Sequence, residues 1–313
     1  MPFEDLIQKV DTIDSGKGYW FVRTDDGKYY QNFYENNFIA IGWNYITIEQ
    51  LRNADPTGFD IRQKIAQHEN LDIVNNAVDK GKATTIYNKL LAFKNLKRGD
   101  VIIIPSDGSK RLAFGIIADD TLYPNIDDPS CDFFKRRRVR WVTNKDIDEL
   151  DNIFYQVKIN RHTISSVKNF ESHIDKVMKT LFIKNGASHF VLDIKTQEEI
   201  NFDILLELMN NIKFLTRELN QEFNLGENLN ENSIKLNLQS PGKIELKFIN
   251  SKSLILLATL LGPLTVGNEI EDVNNNEVNQ LEEFREVHQE SIDSIETAMD
   301  ELEIDQDKIN SIY

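Results

Sequence analysis

Along residues 17–142, short runs rich in β-branched and aromatic side chains alternate with turn residues, a pattern that predicts strands. Runs at 19–23, 38–43, 101–105, 112–117 and 136–142 have strand length. Asp26-Gly27, Arg98-Gly99-Asp100 and Asp107-Gly108 supply turns around them. Residues 48–52, 61–67 and 86–93 instead place apolar side chains three and four apart, which predicts helices inserted early in the chain. The combination predicts an α+β fold whose first domain, 1–150, is a small mixed β-barrel, partly open, and not a parallel βαβ sheet.

The next stretch, 151–267, predicts a small α/β domain after a polar connection. A strand is expected at 153–159, a helix at 170–181, a strand at 189–194 and a long helix at 198–223. That helix carries Phe202, Leu205, Met209, Ile212, Leu215, Leu219 and Phe223 on one face, with Thr196 and Glu199 as its capping box. Ile234, Leu236 and Leu238 alternate with polar residues, as do Ile244, Leu246 and Phe248, and Ser240-Pro241-Gly242 between them suits a type II turn. The apolar run 254–266 is shorter than the roughly 20 residues that span a bilayer and contains Gly262-Pro263, so it reads as a buried helix and not as a membrane span.

Residues 268–313 form an acidic segment with its own periodicity. Val278, Ile292 and Met299 recur at one heptad position and Leu281, Ile295, Leu302 and Ile309 at the other, with acidic residues outside the seam. The segment therefore predicts an acidic C-terminal helix, lying on its own domain, or pairing with a second copy or a partner protein through 278–312, or left disordered.

Charge sharpens this picture. The 313 residues carry a net charge of −15, but from Glu269 onward 15 acidic side chains face only Arg285 and Lys308, which leaves residues 1–268 with 34 basic and 36 acidic groups. The body is thus nearly neutral, and a nucleic-acid partner is not excluded. The acidic tail could itself occupy the basic strand at 136–140 until nucleic acid competes for it. One cysteine, Cys131, excludes an intramolecular disulfide framework, and the first residues lack the pattern of a signal peptide, so a cytoplasmic location is expected.

Aromatic and basic residues carry the functional reading. Trp20, Trp43 and Trp141 all fall in the first domain near strand ends, and an indole offers a flat face for stacking an unstacked base. The alternative for each is a core tryptophan with one wet edge. Within Lys135-Arg136-Arg137-Arg138-Val139-Arg140, the side chains of Arg136, Arg138 and Arg140 would share one face of a strand and could bind phosphates, or simply form a solvated face.

Tyr19-Trp20-Phe21-Val22-Arg23, Phe38-Ile39-Ala40-Ile41-Gly42-Trp43, the segment from Leu96 to Pro105, Phe114-Gly115-Ile116-Ile117 and Arg138-Val139-Arg140-Trp141, in this order, resemble the EVE-like branch of the PUA superfamily. The likeness is to N-terminal modules of bacterial restriction-type and other defence proteins. Arg161-His162-Thr163-Ile164 is similar to the segment that often follows such a module. The resemblance implies a mixed barrel whose cleft accepts a flipped or free base, in anti-phage defence. It implies Trp20 and Trp43 as stacking walls, Asn44 and Ser106 as readers of the base edge, and Arg23 orienting a phosphate or the base.

A restriction-type endonuclease is a second reading. Asp193-Ile194-Lys195 is similar to an acid-x-Lys element in which a carboxylate holds Mg²⁺ and the lysine steadies the attacking water, and Glu245-Leu246-Lys247 repeats the spacing. No acid occurs from 176 to 192, where a second carboxylate is expected. Histidine and cysteine spacing gives no metal site, and no nucleophile elbow, phosphate loop or dinucleotide fingerprint is present. The sequence thus favours a non-catalytic module without a cofactor that binds DNA, RNA or a small nucleotide. An oligomerising adaptor or membrane-associated effector is a third reading.

Overall fold

The apolar run Val101–Pro105 has no alternation because both faces of its strand are covered. The computed structural model describes residues 3–196, 198–237, 242–264, 270 and 274–313. Its chain divides into two compact units: Gly16–Met178, and a second built from Met1–Ser15 with Lys179–Tyr313. The first unit runs past the expected boundary at 150.

Helix α1 (Glu4–Lys9) belongs to the second unit. The first contains β1 (Tyr19–Val22), α2 (Tyr30–Glu35), β2 (Phe38–Ile41), α3 (Ile48–Asn53), α4 (Phe59–Glu69), α5 (Ala77–Lys94) and β3 (Val101–Pro105). There follow β4 (Arg111–Pro124), β5 (Lys135–Asp146), α6 (Phe154–Lys158), β6 (Ile164–Ser166) and α7 (Glu171–Met178). Six strands form one curled, half-barrel sheet in the order β2-β5-β4-β3-β1-β6. The β1·β3 pair is parallel and every other neighbour is antiparallel. Register shifts in β4 between Phe114 and Gly115 and between Ile117 and Leu122 mark bulges, which increase local twist and help a sheet to curl.

Alternate side chains enter two cores, one on each face. Tyr19, Phe21, Val101, Ile103, Leu112 and Phe114 pack with Phe154 and Val157 of α6 and Ile174 and Val177 of α7. Val22, Ile102, Ile104 and Ala113 pack instead with Phe33 of α2, Leu51 of α3, Ile65 of α4 and Phe93 of α5. A sheet buried on both faces selects continuous apolar strands. The strand expected at 153–159 is the helix α6. Phe154 and Val157, three apart, are both buried while Tyr155 is exposed, a helical spacing that strand alternation cannot produce.

In the second unit, β7 (Leu181–Lys184), β8 (Ala187–Ile194), α8 (Phe202–Glu222), β9 (Ser233–Asn237), β10 (Gly242–Ile249) and α9 (Ser253–Leu260) follow α1. The sheet order is β7-β8-β10-β9, all antiparallel. Helix α8 starts later than expected, because Asn201 accepts from the Asp203 N–H at 2.9 Å and caps it, while Thr196 accepts from the Glu198 N–H ahead of the helix. Ser240 and Pro241 of the expected turn lie outside the described residues. Every residue of α9 is buried, which explains its lack of a polar face. No helix among the described residues is long and apolar enough to cross a membrane.

The expected single acidic helix is three: α10 (Asn275–Val287), α11 (Gln289–Glu301) and α12 (Gln306–Asn310). The chain leaves helical geometry at His288 (ψ 21°) and takes a left-handed turn at Glu303 (φ 50°). Leu281, Ile292, Ile295, Met299, Leu302 and Ile309, which form most of the apolar seam, are buried in the core of this unit beside α8 and α9 residues. Burial of an apolar stripe inside its own unit gives the same periodicity as a seam for a partner.

Candidate functional site

Strand β1 ends at Val22, but its pairing with the β6 strand continues one residue further, where the Arg23 N–H donates to the Thr163 carbonyl at 2.9 Å. Arg23 and Thr163 are therefore cross-strand neighbours, and Arg161 lies two residues from Thr163. Beyond Arg23 the chain reverses through Asp25, Asp26 and Gly27, all left-handed, with φ of 57°, 51° and 95°. The buried Thr24 hydroxyl donates to the Pro105 carbonyl at 2.6 Å, and the Tyr29 N–H to the Thr24 carbonyl at 2.9 Å. These bonds hold a turn whose two aspartates would not otherwise favour this conformation.

A second segment meets it from the end of β2. Gly42 lies close to Phe133, where a Cβ would make a tight 3.3 Å contact with the ring. Trp43 is left-handed, at φ 54°. The Asn44 side chain straps this loop to the next segment: its amide N–H donates to the Asp132 carbonyl at 2.6 Å, and its oxygen accepts from the Phe134 N–H at 3.1 Å. Lys135, buried, donates from Nζ to the Trp43 carbonyl at 2.9 Å and the Ile46 carbonyl at 3.1 Å. The Lys89 ammonium lies 5.7 Å from the centre of the Trp43 ring system.

Together these segments line a cavity of about 530 Å³ that is open to solvent. Trp43, Phe133 and Gly42 supply its apolar wall; Arg23, Arg161 and Thr163 line one polar side, and Asp25 and Asp26 also line it. A flat indole and a ring close to guanidinium groups can hold an aromatic body bearing an anionic group.

The burial of Lys135 has a measurable consequence, because desolvation pushes its ammonium down from 10.5 to about 8. Between those values the unfolded chain holds more protons than the folded one, so this lysine makes stability rise as the pH climbs from about 8 to about 10.5. Wild type minus Lys135→Met is expected to gain about 2 kcal/mol of unfolding free energy between about pH 7.5 and about pH 9.5. Denaturant titrations at the two pH values measure it, and a flat difference would contradict a desolvated ammonium.

Other candidate residues are placed differently. Trp20 does not line the cavity; its indole N–H donates to Asp100 at 3.3 Å. Ser106 accepts from the Arg111 N–H at 2.9 Å in the β3–β4 loop. Trp141 donates to the Phe33 carbonyl at 3.0 Å. Arg136 is buried and pairs with Asp128 at 2.7 Å, while its remaining nitrogens donate to the Phe133 and Cys131 carbonyls. Arg138 and Arg140 are exposed, with Arg138 3.4 Å from Asp119. In the second unit the Asp193 carboxylate is shared between Lys243, at 2.5 Å, and Lys308, and Lys195 pairs with Asp305 at 3.0 Å. Glu245 pairs with His189 at 2.8 Å. Among the described residues no three His, Cys, Asp or Glu side chains are grouped to hold a metal ion.

Of the residues expected to surround a base, Arg23 and Trp43 come together. Phe133, Arg161, Thr163, Asp25 and Asp26 join them without having been singled out for it. Two faint signals were present: an aromatic pair, Phe133-Phe134, in a polar stretch, and a turn of consecutive acids before Gly27.

Residues 20–168 match the model of a family described as a domain of unknown function (DUF8426). This span contains every residue that lines the cavity. Comparisons with curated proteins and with solved structures give no match.

Proposed function

We propose that the Gly16–Met178 unit is a binding module of the PUA/EVE-like kind. It takes an unstacked nucleobase, from nucleic acid or from a free nucleotide, against Trp43, with a phosphate at Arg23. The supporting observation is that Trp43 and Arg23, on separate strand ends, line one cavity large enough for a nucleotide. Exposed Arg138 and Arg140 on β5 offer further phosphate contacts for a strand.

Titration of nucleosides, nucleotides and single-stranded oligonucleotides, modified and unmodified, against tryptophan fluorescence tests the reading. Trp43→Ala is expected to weaken binding roughly tenfold to a hundredfold, the range given by loss of one stacked base. Trp20→Phe, outside the cavity, is expected to leave the affinity unchanged. No binding across the panel by calorimetry, or equal binding by Trp43→Ala, would remove the proposal.

A further inference from the structure

The cavity holds charged groups of both signs that do not neutralise one another. Arg23 and Arg161 line it together with Asp25 and Asp26, yet among the described residues none of these four side chains has a hydrogen bond or ion pair within the chain. The contrast with the rest of the unit is direct. Arg136 is satisfied by Asp128 and two carbonyls, and Asp132 by Lys28 at 2.9 Å and the Tyr29 hydroxyl at 2.6 Å. Asp25, Asp26 and Arg161 are exposed and Arg23 half-buried, so these charges, around an indole and a phenyl ring, are open to a ligand with an acceptor-rich anionic end, an aromatic body and donor groups.

The backbone sets where these side chains start. Arg23 directly follows β1 and is bonded through its N–H to Thr163, while Arg161 lies in the loop two residues before Thr163. Asp25 and Asp26 sit in a left-handed turn that Gly27 seats against Asp107, where a Cβ would come 2.4 Å from the Asp107 backbone nitrogen. The left-handed backbone thus places both aspartates at the cavity edge.

We infer that the cavity selects a phosphate-bearing nucleotide whose base carries an exocyclic amino group, with Arg161 the second phosphate contact beside Arg23 and Asp25 and Asp26 accepting from the amino group. This rests on the nucleotide reading above. Cytosine, adenine and guanine present such a donor, and carboxylates accept from it; uracil, thymine and hypoxanthine present none. The same chemistry comes from a free nucleotide or from one extruded out of a strand.

The test is calorimetric titration of the full chain with CMP against UMP, GMP against IMP, and cytidine against CMP. CMP and GMP are expected to bind about tenfold more tightly than UMP and IMP, because an acceptor site rejects an analogue lacking the donor. Arg161→Gln, at an exposed position, is expected to weaken CMP about tenfold while leaving cytidine within about twofold. The Asp25→Asn/Asp26→Asn pair is expected to reduce the preference for CMP over UMP to less than about threefold. A single-stranded oligonucleotide that binds more tightly than CMP and loses affinity in Arg161→Gln identifies a strand as the source. Weaker binding of the oligonucleotide, with CMP still dependent on Arg161, identifies the free nucleotide. If nucleotides bind with no preference for the amino-bearing base, or Arg161→Gln binds CMP as wild type does, this inference falls and the nucleotide reading stands. If no nucleotide or oligonucleotide binds, the nucleotide reading itself falls.

Discussion

Asp193→Ala is expected to lower the unfolding free energy of the Met1–Ser15/Lys179–Tyr313 unit by about 3–5 kcal/mol, the cost of breaking a buried ion pair from one side. Asp193 on β8 is held between two ammonium groups, and Lys243, 2.5 Å away, has only 9% of its side chain exposed. Burial pushes the aspartate upward, but the attraction of Lys243 and Lys308 outweighs it and holds the carboxyl below the usual carboxylate range. Its contribution is therefore fully present above that range and is lost as the pH falls through the lowered value. Far-UV circular dichroism during urea unfolding is the appropriate readout, since all three tryptophans lie in the other unit. Adding Lys243→Met is expected to recover part of the loss, because the orphaned charge goes with it. An unchanged midpoint in the single variant would contradict the clamp. For the endonuclease reading, this means that cleavage lost in Asp193→Ala reports on chemistry only if the fold is intact.

Gly27→Ala is expected to destabilise the Gly16–Met178 unit by about 2–5 kcal/mol, the sum of a left-handed penalty and a clash that cannot relax cheaply. The backbone φ is 95°, and the added Cβ would meet the Asp107 nitrogen and Cα, both main-chain atoms, at 2.4 Å. Gly108→Ala is a matched control: φ is 60° there, and the nearest atoms belong to the flexible Lys110 side chain at 3.9 Å. It is expected to cost only about 1 kcal/mol. Thermal unfolding followed by tryptophan fluorescence separates the two. Similar losses in both variants would show that conformation alone, without the Asp107 contact, sets the cost at Gly27.

Local pattern reveals the strands here because both sheet faces are buried, so Val101–Pro105 and Phe38–Ile41 stand out as apolar runs. The same criterion fails at residues 153–159, where a short apolar stretch fits helix and strand alike and only burial of Phe154 with Val157 decides. Trp43 and Arg23 are recognisable because their residue types are rare and chemically suggestive. Arg161 is not, because its place in the cavity depends on β6 pairing with a strand some 140 residues earlier. Asn44 misleads in the opposite way: an amide beside a tryptophan suggests base reading, while its hydrogen bonds are taken by the 132–134 backbone. A run of cations likewise suggests solvent, yet Asp128, eight residues before Arg136, supplies an internal partner.

The second unit is assembled from two distant pieces of chain, and synthesis must respect that order. Phe3, Leu6 and Val10 belong to a core whose other members begin at Leu181, and Thr12 bridges to Ile183. At about 5–20 residues per second, these apolar side chains wait roughly 10–30 s after translation before their first partners exist. During that wait the whole Gly16–Met178 sequence is made, and the apolar seam that ends at Ile309 comes last. A chain made only as far as Met178 would thus hold every residue of the Gly16–Met178 unit while Phe3, Leu6 and Val10 still lack their partners from Leu181 onward.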